Sequence, residues 1–374
     1  MATKHEELNE APPGAEMPDE LHPRHIAVRL AQITVVIAVV AIAVSALPGL
    51  GEVRARLKDA GAGWLGLLAA AEIGSCAGYM LAFRSTFCPR MPWGLSYDIS
   101  MAELAANSLL PTGGAGGLAL GVWALRQAGM ATAHIARRTV AFFLITSAPN
   151  FVGVVVVGFA MFAGVLPSHV SPVLTLGPAL IASGVMLVTW LSPQMLRALG
   201  RPLADGERGG RIARLRHGLR HALKATADGV DLAKTLIRSR SFGVVVGSFA
   251  YMAFDIAALA FGFAAVGHVP AFGPLVLGYL IGQLGNLVPL PGGVGGTEGG
   301  LIGVFALYQV NVSAAAAAVL IYRLFQLAIP ALLGAPAFVL LRRKLARGDQ
   351  QARLCGSLSV DMSELPVLKL PART

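Results

Sequence analysis

Long apolar runs separated by short polar stretches dominate the chain. Six of them approach or exceed the roughly 20 residues an α-helix needs to cross the ~30 Å hydrocarbon core of a bilayer. They are Leu30–Leu47, Gly63–Phe83, Thr139–Leu166, Val173–Leu191, Phe242–Val266 and Ser313–Leu341. A signal peptide carries a short apolar stretch behind a basic n-region. Leu30–Leu47 is long, uncharged and preceded by an acidic, Pro-containing stretch, so it is read as a retained span. Pro149-Asn150 predicts a kink or strong tilt in Thr139–Leu166. Two further apolar stretches, Leu95–Ala124 and Ala271–Leu307, are each broken by a glycine cluster and do not read as simple spans.

A different period appears between the fourth and fifth spans. Ile212, Leu215, Leu219, Leu223, Thr226, Val230, Ala233 and Ile237 recur every three or four residues with Arg and Lys between them. That pattern predicts an amphipathic helix on the inner membrane surface, attracted by anionic lipid.

Composition supports the membrane reading. Of 374 residues, 55% are hydrophobic and only 13% are charged, against about 25% charge in a typical soluble chain. The formal net charge of +10 does not point to nucleic acid, because most basic residues flank the apolar runs, as the positive-inside rule describes. With the N-terminus in the cytoplasm, the outer loops hold only Arg54, Arg56 and Lys58, and Arg323 lies within a span. The predicted location is a plasma membrane, multi-pass, with both termini cytoplasmic. Cys76, Cys88 and Cys355 form no disulfide framework or metal motif. No HExxH, GxSxG or Walker A pattern is present, so no catalytic residue, metal or cofactor is expected.

Two stretches match each other. Asn107-Ser-Leu-Leu-Pro-Thr-Gly113-Gly114-Ala-Gly116-Gly117 precedes Asn286-Leu-Val-Pro-Leu-Pro291-Gly292-Gly293-Val-Gly295-Gly296 by 179 residues. The order of elements repeats too: two spans, a Gly-broken stretch, then a span. With three spans per half, the halves have opposite orientation. The predicted fold is therefore an all-α polytopic membrane protein with six full spans plus two Gly-broken re-entrant helical hairpins, a 3+3 inverted repeat, a common plan of secondary transporters. The boundaries are a disordered cytoplasmic tail (1–25), a first transmembrane repeat (26–192, re-entrant motif 107–117) and a basic amphipathic cytoplasmic loop (193–240). A second transmembrane repeat (241–342, re-entrant motif 286–298) and a second disordered tail (343–374) follow.

Non-helical backbone at membrane depth survives only when packed in protein or lining a wet cavity. The Gly-Gly-x-Gly-Gly clusters supply such backbone, and a helix restarting after each points free N–H groups and a positive dipole end at an anion such as a lipid phosphate. Tight helix packing is the plain alternative for these glycines. Ionisable groups in apolar runs are costly unless paired or wetted. Glu298 follows the second cluster and Arg323 lies 25 residues later, so a turn between them allows an ion pair. Glu72, Glu103, Arg126, Arg137, Arg138 and Asp255 are candidates for a polar network, with Gln326 as a hydrogen-bonding group beside Arg323. A purely structural network, and an interfacial anchor for Arg137 and Arg138, are the sober readings.

The stretch Pro289-Leu-Pro-Gly-Gly-Val-Gly-Gly-Thr-Glu298, then the Ala-rich run ending in Ile321-Tyr322-Arg323 and Pro330, resembles the signature of the lysylphosphatidylglycerol synthase transmembrane-region family, also called flippase-like domain proteins. Pro111-Thr-Gly-Gly-Ala-Gly-Gly and Arg137-Arg138 resemble its weaker first motif. The resemblance covers roughly Leu30 to Leu341. It implies a bacterial or archaeal plasma membrane protein that moves an anionic or polyprenyl-linked lipid between leaflets, with Gly292, Gly293, Gly295, Glu298 and Arg323 as motif residues. It departs from the family at Thr297, where members often carry a basic residue. No soluble segment is long enough for the aminoacyl-transferase domain of the full-length synthases. Two other readings stay open: a lipid-headgroup transferase with Glu298 or Asp255 as general base, and a non-transporting partner that recruits a lipid synthase or glycosyltransferase through the basic loop.

Overall fold

The computed structural model describes residues 51–109, 115–167, 170–200, 211–239, 241–287 and 295–346. The first expected span, Leu30–Leu47, and both expected tails up to their junctions with the helices lie outside the described residues. Every regular element among the described residues is helical: α1 (Gly51–Lys58), α2 (Ala62–Phe87), α3 (Trp93–Leu109), α4 (Ala115–Gln127), α5 (Thr132–Phe162), α6 (Pro172–Gly200), α7 (Arg211–Arg238), α8 (Phe242–Ala265), α9 (Phe272–Gly282), a 3₁₀ turn (Gln283–Leu287), α10 (Gly296–Leu307) and α11 (Val312–Ala346).

Five helices (α2, α5, α6 up to Arg197, α8 and α11) are long and apolar enough to cross a membrane. Their outward faces are apolar too: Phe143, Ile181, Phe242 and Leu332 are all more than two-thirds exposed, as side chains facing lipid tails would be. The two Gly-broken stretches each form two short helices. At 1.5 Å per residue, α9 and α10 are each about 17 Å long, well short of the ~30 Å core. The helices overrun the expected spans at their ends. α5 begins at Thr132 and so takes Arg137 and Arg138 into its second turn, and α11 continues to Ala346. Hydropathy marks the apolar core of a helix, whereas the backbone hydrogen bonds continue into the polar flank. Pro149, Pro178, Pro193, Pro330 and Pro336 all sit inside helices, which neighbouring helices make tolerable at membrane depth.

The core is built by antiparallel crossings between the halves. α2 and α8 pack along their whole length, from Gly61 N–H on Ala265 O (3.1 Å) at one end to Gly243 against Ser85 at the other. At the centre a Cβ on Gly78 would stand 2.5 Å from Tyr251 N, and one on Gly247 would stand 2.5 Å from Ala82 N. Only glycine permits that approach. α3 then packs on α11, where Gly334 faces Met101 O, while α9 packs on α5, where Gly273 and Gly153 face Met161 and Leu280. Each short-helix pair thus lies against the long helix that follows the other pair. The turns after α4 and α10 are built alike. Gly129 (φ +86°) and Gln309 (φ +60°) are both left-handed, and Met130 N–H on Leu125 O matches Val310 N–H on Phe305 O, each at 3.0 Å.

The amphipathic segment is a helix, α7, and the middle of its apolar stripe packs on protein. Ala227, Val230 and Ala233 are buried, and a Cβ on Gly229 would stand 2.6 Å from Val140 Cβ on α5. Arg197 at the end of α6 pairs with Asp228 and Asp231, and Lys234 lies 4.9 Å from the Trp190 ring centre. Leu219 and Ile237 remain exposed.

The far end of α11 is clipped to α3 by Lys344 Nζ on Asp98 Oδ2 at 2.5 Å. Asp98 is buried while Lys344 is well exposed, so the cost of breaking the clip is mostly that of stranding the carboxylate. Lys344→Ala is expected to destabilise by about 1–3 kcal/mol, toward the low end because the lysine is in solvent. Asp98→Asn, which keeps the shape and loses the charge, should cost less. Thermal unfolding in detergent checks the order of the two variants.

Candidate functional site

Sequence alone marks ionisable residues inside apolar helices, and four of these meet where α2, α8, α10 and α11 converge. α11 is continuous through Ala314–Ala318, strong helix formers, and carries Tyr322, Arg323 and Gln326 about three turns from its start. Arg323 and Gln326 are three apart and so share a face. Arg323 Nε donates to Glu298 Oε1 at 2.8 Å, and its NH1 donates to Gln326 Oε1 at 2.5 Å. The arginine side chain is 7% exposed and the glutamate 14%. Glu298 stands in the first turn of α10, and its second oxygen accepts the Gly295 N–H at 2.6 Å. Gly295, at φ +91°, takes the left-handed turn that sends the chain into that helix.

Gln326 passes the network on. Its Nε2 donates to Asp255 Oδ2 at 3.2 Å and also contacts the Tyr322 hydroxyl. Asp255, in the middle of α8, accepts Tyr279 OH from α9 at 2.5 Å and Tyr322 OH at 2.8 Å. Gln283 Nε2 reaches Tyr322 OH at 3.4 Å. These three donors on one carboxyl group replace the water that apolar surroundings exclude. One continuous path thus joins the amide at the start of α10 to a buried aspartate in α8.

The other half has a smaller counterpart. Tyr79 OH donates to Glu103 Oε2 at 3.0 Å. The other Glu103 oxygen lies against Gly121, where a Cβ would fall 1.5 Å from it. Asn107 Oδ1 accepts the Gly117 N–H at 2.9 Å, tying the end of α3 to the first turn of α4, where Gly116 is also buried. The two tyrosine–carboxylate pairs have the same spacing of 24 residues with the types exchanged: Tyr79 with Glu103, and Asp255 with Tyr279.

Not every expected site residue joins these clusters. Gly113, Gly114, Pro291, Gly292 and Gly293 lie outside the described residues. Asn286 falls in the 3₁₀ turn and Gly296 opens α10, with Gly296 O where a Cβ on Gly285 would clash at 2.2 Å. Arg138 donates to Thr86 O, fastening α5 to the end of α2. Arg126 and Arg137 are half-buried, and no hydrogen bond reaches the Nε of either among the described residues. Neither touches the Asp255 network. Thr297, the departure from the family pattern, is fully buried. Tyr79, Tyr279 and Tyr322 were missed as site residues because a tyrosine in an apolar run carries no charge to mark it. A cavity of about 470 Å³ opens at another place, between α1 and the ends of α2 and α8, lined by Glu52, Arg56, Asp59 and Trp64. It includes none of the expected site residues.

Among the described residues no group of three or more His, Cys, Asp or Glu is placed to hold a metal ion. A family model described as "Lysylphosphatidylglycerol synthase TM region" matches residues 29–334. No curated protein and no solved structure matches the chain. With five helices fit to cross a membrane, the match makes this a multi-pass membrane protein linked to lipid metabolism.

Proposed function

Because the chain belongs to the lysylphosphatidylglycerol synthase transmembrane-region family, we propose that it translocates a lipid with an anionic head, a phospholipid or a polyprenyl-linked lipid, between leaflets of the plasma membrane. The observation that carries this reading is the largely buried ion pair of Arg323 with Glu298, tied through Glu298 to the Gly295 amide just before α10. A guanidinium and a helix-start N–H converge there on one carboxylate, a group that shares its charge and hydrogen-bond chemistry with a headgroup phosphate. In the proposed cycle the phosphate displaces the Glu298 carboxylate from both partners, and the acyl chains stay in lipid.

We read the two halves as an inverted repeat with re-entrant hairpins and both termini cytoplasmic. Three features support the repeat: α2 and α8 run antiparallel, each short-helix pair packs on the long helix that follows the other pair, and the turns at Gly129 and Gln309 match. An in-plane two-fold relation produces all three. The transferase reading is weaker on the same geometry. Asp255 is held by three donors and Glu298 by two, which leaves neither as an unencumbered base.

The test uses liposomes of phosphatidylcholine and phosphatidylglycerol carrying NBD-labelled phosphatidylglycerol. Dithionite quenches the outer leaflet of protein-free vesicles only; wild-type protein is expected to expose the inner leaflet as well. Glu298→Gln, which keeps the shape but weakens the hold on Arg323 and Gly295, should slow that exposure at least tenfold. Inner-leaflet label that stays protected with wild-type protein, for this lipid and for a labelled polyprenyl phosphate, would overturn the reading.

A further inference from the structure

The central crossing contains a second carboxylate that the network above does not absorb. Ser75 Oγ donates to Tyr251 O at 3.1 Å, which fixes the register of α2 against α8. The helices are antiparallel, so moving one turn back along α2 and one turn forward along α8 brings Glu72 beside Asp255. On the same side of the crossing a Cβ on Gly74 would stand 3.0 Å from the Phe254 ring. Glu72 is only 3% exposed. No group among the described residues hydrogen-bonds its Oε2, which is itself buried.

The charges do not balance. Three carboxylates (Glu72, Asp255 and Glu298) share one guanidinium, Arg323. Asp255 has three donors and Glu298 has an ion pair and an amide. Glu72 is left with a bare oxygen and a second carboxylate, Asp255, beside it. The other groups that act on this position are known from every helix around it. α8 presents Tyr251 and Asp255, α11 presents Tyr322 and Arg323, and α2 itself presents Cys76. On α3 the nearest carboxylate, Glu103, is held by Tyr79, two turns along α2. On α5, Arg138 is engaged at Thr86, about four turns away. Arg84 is likewise turned away, donating to Met91 O at 2.8 Å and stacked over Trp93. Among the described residues Arg323 is the cation that acts on the pair.

We infer that Glu72 is a proton-binding site: at neutral pH it holds a proton in this conformation, and exchange of that proton couples lipid translocation to a proton gradient. A neutral carboxyl removes the repulsion with Asp255 and makes the apolar setting of Leu68 and Ala71 acceptable for its unbonded oxygen. Losing the proton adds a second uncompensated charge to the crossing, which only a rearrangement of Arg323 or entry of water relieves. Proton occupancy is therefore tied to conformation. The coupling half of the inference rests on the lipid-translocation reading; the proton itself does not.

Two measurements separate the two. Infrared difference spectroscopy of purified wild-type protein at neutral pH is expected to show a protonated-carboxyl C=O stretch that shifts in D₂O. Glu72→Gln should remove it, and Asp255→Asn should not. A missing band, or a band that survives Glu72→Gln, overturns the site. In proteoliposomes, an imposed pH gradient should change the wild-type leaflet-exchange rate at least threefold in one direction. Glu72→Gln should still exchange lipid but ignore the gradient. Wild-type exchange indifferent to the gradient overturns the coupling. Wild-type protein that shows the band but never exchanges lipid overturns both the coupling and the translocation reading, while supporting the proton site.

Discussion

Arg323→Ala is expected to reduce leaflet exchange to the rate of protein-free vesicles and to lower stability more than any other single truncation in the network. Among the described residues Arg323 is the one cation beside two buried carboxylates, Glu72 and Asp255, and the partly buried Glu298, and it binds two side chains at once, Glu298 and Gln326. Its removal leaves the Glu298 charge, among the described residues, with the Gly295 amide alone. It also frees Gln326, whose other end orients Asp255. Removing one partner of a buried pair typically costs about 3–5 kcal/mol, because the survivor keeps its charge without compensation. The double variant Arg323→Ala/Glu298→Gln removes that stranded charge. It should regain most of the lost melting temperature yet remain inactive, since the headgroup still lacks its cation. An active Arg323→Ala protein sinks the assignment of this arginine to the headgroup. A double variant as unstable as the single one shows that the stranded charge is not the source of the cost.

Gly78→Val is expected to give the largest loss of folding. The added Cβ would stand 2.5 Å from Tyr251 N and 3.0 Å from Gly247 O. Both are backbone atoms of α8, so no side chain can turn aside; the helices must separate or slide. Overpacking costs about 1–3 kcal/mol where neighbours can adjust, and more where they cannot. Because the register of this crossing also sets Glu72 beside Asp255, a variant that folds at all should lose the gradient response. Gly63→Ala, at a position with nothing within 4 Å, is the control and should be neutral or gain about 0.5–1 kcal/mol from helix propensity. Size-exclusion profiles and melting temperatures in detergent decide the comparison; Gly78→Val with wild-type values would show that the crossing tolerates separation.

Much of the site was legible as a set of residues and little of it as an arrangement. Glu72, Asp255, Glu298 and Arg323 stand out because each interrupts an apolar run, where an ionisable group needs a reason. The pairing of Glu298 with Arg323 follows from a short helix, a turn and a return helix. The tyrosines that hold Asp255 and Glu103 gave no such signal, although the shared 24-residue spacing of the two pairs was available to be noticed. The clip of Lys344 to Asp98 joins residues 246 apart and had no local trace. The basic helix showed its stripe in the sequence, but whether lipid or protein covers a stripe depends on what is folded against it, here Val140 and Ala141 of α5.

By itself the sequence determined which segments are membrane helices, where glycine breaks them and which charges travel with them into apolar surroundings. Those properties follow from transfer free energies and backbone freedom that each segment carries alone. Tertiary structure alone decided which charges meet. The meeting depends on the register of antiparallel helices, set by close approach of small residues far apart in the chain, Gly78 to Gly247 and Gly334 to Ala105. A shift of one turn along either helix would part Glu72 from Asp255 without changing any segment's hydropathy.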